Sequence, residues 1–202
     1  VAGSDFVGEE MNDIRELSSV IQAIVAIAKD IPSFVIRFHA GENDSLPDNV
    51  LNSVLEVEKA LAPGQFFPHV RLGHGLYTPA LDSQKGKLLL EKLKDYRIAL
   101  EFQITSNVRL NNLTELTHHP LKDYLRNDIR CVQGTDGGAL YGTNSIDEQL
   151  SLERMLDLSF DEMKKMHDVE QTICHTAMQE FHEKMKDFKE ALGTQSVVNY
   201  YN

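Results

Sequence analysis

Apolar residues recur along this chain with two different periods, and the periods alternate. Between residues 13 and 29 they fall at Ile14, Leu17, Ile21, Ile24, Val25 and Ala28, the spacing of one helix face. Val50, Leu51, Val54, Leu55, Val57 and Leu61 repeat that spacing over residues 48–61, and a third helix is expected over 84–95. Between these lie short apolar runs of strand length at 1–6, 34–39, 70–72, 98–104 and 129–133. Pro32 and Pro63-Gly64 separate the elements, a short helix is expected over 120–126, and residues 145–158 and 161–192 read as helical, with Ser145 and Ser159 as N-caps. An irregular stretch is expected after Thr105-Ser106-Asn107.

Five strands alternating with helices suit parallel pairing through right-handed crossovers, so the class is α/β. Polar residues collect at the end of every strand: Asp5 and Gly8, His39 and Glu42, His74, Ser106 and Asn107, Asp136. Chemistry spread over successive carboxyl ends is the habit of a TIM-type barrel. A Rossmann sheet would concentrate it beside a G-x-G-x-x-G fingerprint, which the chain lacks. No repeat or low-complexity linker divides the 202 residues. One domain is expected, with a barrel part over 1–155 and C-terminal helices over 156–202.

A formal charge of -11 without a Lys/Arg cluster argues against nucleic acid polymers as partners. No apolar run approaches the roughly 18 residues of a membrane span, so no membrane association and a cytoplasmic location are expected. Cys131 and Cys174 have no C-x-x-C spacing, which indicates neither a disulfide framework nor a thiolate metal site. The chain opens on an apolar, strand-like segment with no initiator methionine, as expected of a piece of a longer polypeptide.

The densest chemistry is Arg37-Phe38-His39-Ala40-Gly41-Glu42, where a strand delivers an imidazole, and a carboxylate just beyond it, to its carboxyl end. Taken singly, His39 would be a packing residue, Glu42 an acid at a helix start, Gly73-His74-Gly75 a turn and Asp136 an Asx-turn. Together, Phe38-His39-Ala40-Gly41-Glu42, Gly73-His74-Gly75 and Thr135-Asp136 resemble, in order and spacing, the adenosine deaminase family of the metal-dependent amidohydrolases. Asp5-Phe6-Val7-Gly8-Glu9-Glu10, Leu100-Glu101-Phe102 to Thr105-Ser106-Asn107, and His119-Pro120-Leu121 extend the resemblance over about residues 1 to 155.

That resemblance implies a partial TIM (β/α)8-type barrel comprising strands 4 to 8 plus C-terminal helices. It implies Zn2+ as cofactor, with His39 and Asp136 as metal ligands, and hydrolytic deamination of a purine nucleoside or nucleotide. Glu42 would protonate a purine ring nitrogen, His74 would orient the attacking water, and Asp136 would also accept a hydrogen bond from it. Gly8, Gly41 and Asp136 would contact substrate. Glu101 has two readings, an acceptor that orients a ligand histidine or a salt-bridged structural acid. The remaining histidines, His69, His118, His119, His167, His175 and His182, are assigned surface or packing roles.

Two departures qualify the implication. The family's first-strand H-x-H pair is absent, and Thr135-Asp136-Gly137-Gly138 stands where the family reads T-D-D-P. The first three strands would therefore come from the same polypeptide or from another chain, and these 202 residues alone are expected to bind zinc weakly and to lack activity. The alternative is a catalytically inactive, deaminase-like module that binds a ligand or assembles with copies of itself.

Overall fold

The computed structural model describes residues 2–8, 10–110, 112–113, 115 and 119–201, with the backbone alone from 189 onwards. It divides into two compact units, 1–166 and 167–202. The first unit is built on five strands: β1 (Gly3–Phe6), β2 (Val35–Ala40), β3 (His69–His74), β4 (Ala99–Phe102) and β5 (Arg130–Gln133). They pair in parallel in the order of the sequence, β1-β2-β3-β4-β5. Every crossover steps to the next strand on the same side, which is an arc of a TIM-type barrel rather than a doubly wound sheet with a switch point.

The strand period of two separates two faces. The register aligns Phe6, Phe38, Leu72, Leu100 and Cys131 in one row. This face is buried under α1 (Ser18–Asp30), α2 (Asn49–Ala60), α3 (Gln84–Asp95) and α5 (Leu121–Arg126), through Ile21, Val25, Val54, Leu89, Leu93 and Tyr124. The other face carries Asp5, Arg37 and Arg71 in one register row and His39, Gly73 and Glu101 in the next. It is an ionic face: Glu101 lies 2.7 Å from the Arg37 guanidinium and 3.1 Å from that of Arg71, and Asp5 lies 2.9 Å from Arg37. Glu101 is therefore the salt-bridged acid of its two readings, and it reaches His39 only through Arg37.

Several local expectations shift for identifiable reasons. The helix expected from residue 13 opens instead as a 3-10 turn, Ile14–Leu17, capped by the Asp13 carboxylate on the Arg15 N–H. The fourth strand stops at Phe102 rather than 104. The buried Glu148 carboxylate accepts the N–H groups of Ile104 and Thr105 and starts the helix α4 (Ile104–Arg109), which takes in Thr105-Ser106-Asn107 and the first two residues of the expected irregular stretch. A short helix, α6 (Gly138–Tyr141), begins on the second glycine of the pair, and α7 (Ser145–Met155) is capped by Asn144 rather than Ser145. Ser159 does cap α8 (Phe160–Tyr201), sharing a reciprocal pair of bonds with Glu162.

Met163 and Met166 of α8 pack on the core of the first unit. The second unit, 167–202, continues that helix, and in it Met178, Phe181 and Phe188 are exposed. Among the described residues no helix is long and apolar enough to cross a membrane. His69, His167, His175 and His182 are exposed and His119 is buried, while His118 lies outside the described residues.

Candidate active site

The polar side chains at the carboxyl ends of β2, β3 and β5 converge. Phe38 and Ala40 are held in the core, so the strand period turns Arg37 and His39 to the ionic face. The chain then bends through Gly41 at φ 70, where a Cβ would stand 2.5 Å from the Tyr77 carbonyl oxygen and 2.7 Å from Val50. Only glycine satisfies both the dihedral and the space. The bend is clamped from the β1 side by Glu10, a buried acid whose Oε1 accepts the Gly41 N–H at 3.0 Å and whose Oε2 accepts the Glu42 N–H at 2.9 Å. Asn49 donates to the same Glu10 Oε1. Glu10 thus aims the backbone that carries Glu42.

His74 ends β3 in the left-handed region, at φ 72, and is wholly buried. Its N–H donates to Gln103 Oε1 at 3.1 Å, and its Nδ1 lies 2.9 Å from Asn107 Oδ1. Its Nε2 faces His39 Nδ1 at 3.3 Å and Glu42 Oε1 at 3.7 Å. On the far side of His39, Nε2 lies 2.7 Å from Arg37 Nη1. A guanidinium only donates, so this nitrogen of His39 carries the lone pair and Nδ1 carries the proton. The direction of the chain is then set: Arg37 donates to His39, His39 to His74, and His74 through Nδ1–H to Asn107.

Titration follows from this packing. Burial, with the neighbouring His39, pushes the His74 pKa down to about 4. Burial and the Arg37 charge also lower His39, so the packing favours the neutral form of both rings. Glu42 moves the other way: burial, then the carboxylates of Asp136 and Glu10, raises its pKa and favours the protonated acid. Asp136, at φ 51 beyond β5, is exposed and accepts a 2.7 Å hydrogen bond from Ser106 Oγ.

One ligand atom each from Glu42, His74 and Asp136 lies within 4.8 Å of the others. Two carboxylate oxygens and one imidazole nitrogen are donors that zinc accepts, and three is the usual number of protein ligands in a catalytic zinc site. The residues present fit such an ion. Of the residues singled out from the sequence, Glu42, His74 and Asp136 are brought together, and Gly41 adjoins them. His39 touches His74 but turns its lone pair to Arg37. Gly8 is exposed at φ 144, with open space where a Cβ would be, and makes no hydrogen bond to the others among the described residues.

The sequence profile described as adenosine deaminase matches residues 6–186. The chain belongs to the adenosine deaminase family. Among its relatives, adenosine deaminase from Clostridium kluyveri is 34% identical over 128 residues, covering 63% of this chain and 32% of that protein. Adenosine deaminase from Plasmodium vivax is 27% identical, covering 82% and 40%, and aminodeoxyfutalosine deaminase from Streptomyces avermitilis is 28% identical, covering 68% and 32%. The chain spans about a third of the length of the curated relatives it matches. Among solved structures, Arabidopsis ADAL complexed with IMP superposes with a TM-score of 0.65 at 21% identity, covering 95% of this chain and 49% of that one. The Arabidopsis N6-methyl-AMP deaminase superposes at 0.60 with 24% identity, covering 82% and 42%. These likenesses confirm that the fold is part of a deaminase-type barrel.

The Glu10 clamp, the Gln103 and Asn107 bonds to His74, and the Arg37 contact to His39 escaped the sequence reading. Asn107 carried a visible signal as a polar strand end. Glu10 and Gln103 carried none, because their partners are more than 25 residues away.

Proposed function

We propose that this chain is the carboxyl-terminal part of the barrel of a zinc-dependent deaminase that releases ammonia from adenosine or a related aminopurine nucleoside or nucleotide. The first three strands come from the same polypeptide or a second chain. The observation that carries the reading is Glu42, an acid with a raised pKa, held between a neutral imidazole and a second carboxylate at the strand ends.

Glu42, whose burial and neighbouring carboxylates favour its protonated form, gives its proton to a ring nitrogen, which leaves the amine-bearing carbon electron-poor. His74, neutral and fixed by Asn107, offers Nε2 as an acceptor that orients water and stabilises the charge developing there. Asp136, held by Ser106, accepts a hydrogen bond from the same water. His39 and Asp136 would hold zinc, together with ligands from the rest of the barrel. When bound, that ion would supply the Lewis acidity that brings the pKa of water towards neutrality. Gly8 and Gly41 would let the purine approach backbone closely.

Gly137 in place of an acid removes a hydrogen-bond partner for the five-membered ring, a cost of about 1–3 kcal/mol in binding. The substrate is therefore an aminopurine recognised through other groups as well, and the relatives named for N6-methyl-AMP and complexed with IMP favour including nucleotides. The test is to assemble the chain with the missing barrel strands and to assay adenosine, deoxyadenosine, adenine, AMP and ATP by loss of aminopurine absorbance. Turnover of at least one is expected from the assembly and none from the 202 residues alone. Silence on all five would favour the second reading, an inactive deaminase-like ligand-binding or self-assembling module, which the same Gly137 and the absent H-x-H support.

A further inference from the structure

Gly137, in place of an acid, changes the backbone chemistry beside Asp136 as well as the contacts of the site. Asp136-Gly137 is the one place in the 202 residues where an aspartate is followed by glycine. Glycine has no Cβ to screen its nitrogen and the widest choice of dihedrals. An Asp-Gly pair is therefore the one in which a main-chain nitrogen most easily reaches the carboxyl carbon of the residue before it.

The fold leaves that nitrogen available. Gly137 sits at φ -76, ψ 63, and the Gly138 N–H closes onto the Asp136 carbonyl oxygen at 2.9 Å, which makes an inverse γ-turn. Such a turn is closed by its outer residues, so the central N–H is not used. Among the described residues the Gly137 N–H forms no hydrogen bond. Asp136 is exposed and held at φ 51, a strained dihedral for a residue with a Cβ. Ser106 Oγ donates to its Oδ2 at 2.7 Å and draws charge from Cγ.

The two Asp-Ser pairs are built differently. Asp44 and Asp82 are also exposed, but the Ser45 N–H donates to Asn43 Oδ1 at 3.0 Å and the Ser83 N–H to the Ala80 carbonyl oxygen at 2.9 Å. There the nitrogen is tied and a side chain stands beside it.

We propose that Asp136-Gly137 is a site of spontaneous covalent modification, where Asp136 closes onto the Gly137 nitrogen as a succinimide and reopens mainly as isoaspartate. In the first step the Gly137 nitrogen attacks Asp136 Cγ. An N–Cγ bond forms, a Cγ–O bond breaks, and the carboxyl hydroxyl leaves as water with the amide proton. In the second, water adds to a ring carbonyl. Opening at Cγ restores aspartate, whereas opening at the main-chain carbonyl carbon leaves the backbone running through Cβ and Cγ. That product adds a carbon to the main chain, relieves the left-handed dihedral and draws the carboxylate away from Ser106, Glu42 and His74. The inference goes beyond the deaminase reading and rests on it only for the activity that would be lost.

The test is to hold the 202-residue chain in neutral buffer below its unfolding temperature and follow the tryptic peptide 131–154 by mass spectrometry. A species lighter by one water is expected first, then an isomer of unchanged mass that an aspartate-specific protease no longer cuts at Asp136. They should accumulate roughly tenfold faster than at Asp44 or Asp82, because only Asp136 precedes an unscreened nitrogen. Gly137→Ala fits the turn, since a Cβ there would meet only side-chain atoms of Tyr141 and Leu140, at 3.3 and 3.4 Å. It should keep the circular dichroism of the wild type and slow the reaction by roughly tenfold. Asp136→Asn offers ammonia as the leaving group at the same carbon and should react faster than the wild type, which tests the turn without altering the glycine. A rate at Asp136 no higher than at Asp44 and Asp82, an undiminished rate in folded Gly137→Ala, or a stable amide in Asp136→Asn would overturn the proposal. The readout is mass, so it stands whether or not the assembled protein turns over an aminopurine. Activity that survived full modification would count against the role of Asp136 in the deaminase reading alone.

Discussion

At the scale of single residues, the site is set by what burial does to charge. Glu42 has its pKa raised by burial and by two neighbouring carboxylates. The folded chain then holds the Glu42 proton more firmly than the unfolded one, so stability falls as pH rises above the ordinary carboxylate pKa of about 4.3. Glu42→Gln should accordingly melt at a higher temperature than the wild type at neutral pH, and the difference should vanish below pH 4, as thermal melts across that range will show. His119 works with the opposite sign. Its ring lies 5.5 Å from Phe102, its Nδ1 accepts the Leu121 N–H, and burial alone pushes its pKa down to about 4. The stability tied to its neutral form is fully present above about pH 6.5 and is lost as pH falls towards 4, on the order of 3 kcal/mol in all. His119→Asn, whose amide oxygen can take the Leu121 N–H, should flatten the acid limb of a denaturant-stability profile. An unchanged slope would show that another group governs it.

At the scale of elements, the departures from the expected boundaries come from side chains that supply acceptors to helix starts. Asn144 Oδ1 accepts the N–H groups of Ile146 and Asp147 at 2.9 and 3.1 Å, while the neighbouring serine lies already inside the helix. Replacing Asn144 by Ala should cost about 1 kcal/mol, and Ser145→Ala only a few tenths, in equilibrium unfolding. Glu148 is the stronger case. It is fully buried, accepts two N–H groups at the start of α4, and takes a 3.0 Å bond from Thr143. Since α4 carries Ser106 and Asn107, the residues that hold Asp136 and His74, Glu148 supports the site from behind. Glu148→Ala leaves those donors without a partner and should cost about 1–3 kcal/mol of stability. It should also loosen the His74–Asn107 bond, visible as faster exchange of the His74 ring proton in NMR spectra.

At the scale of the whole first unit, the sheet has one apolar and one ionic face. The apolar face closes a complete core against four helices, while the ionic face is stitched by Asp5, Arg37, Glu101 and Arg71. Glu101 is the centre of that network and only 8% exposed as a side chain. Removing it strands two guanidiniums, so Glu101→Gln should destabilise the chain by roughly 3 kcal/mol, towards the low end for breaking a buried ion pair because Arg71 is half open to solvent. Chemical denaturation at neutral pH measures it. A loss below 1 kcal/mol would mean that the network is screened like an ordinary surface pair.

The local patterns determined a good deal by themselves. Alternation of the two apolar periods marked all five strands and the principal helices, because burial of one face is imposed residue by residue. The motif residues Glu42, His74 and Asp136 stood out only in company, through the resemblance of their order and spacing to the adenosine deaminase family. The tertiary structure decided what those residues face. Which nitrogen of His39 carries a proton depends on Arg37, two residues away and on the same strand face, yet it is locked in place by Glu101 from β4 and Asp5 from β1. The Glu10 clamp and the Glu148 cap likewise join residues more than 30 positions apart. Hydrogen bonds between distant segments leave no periodic trace in a sequence, and they are what turned a set of strand-end side chains into a site with defined proton positions.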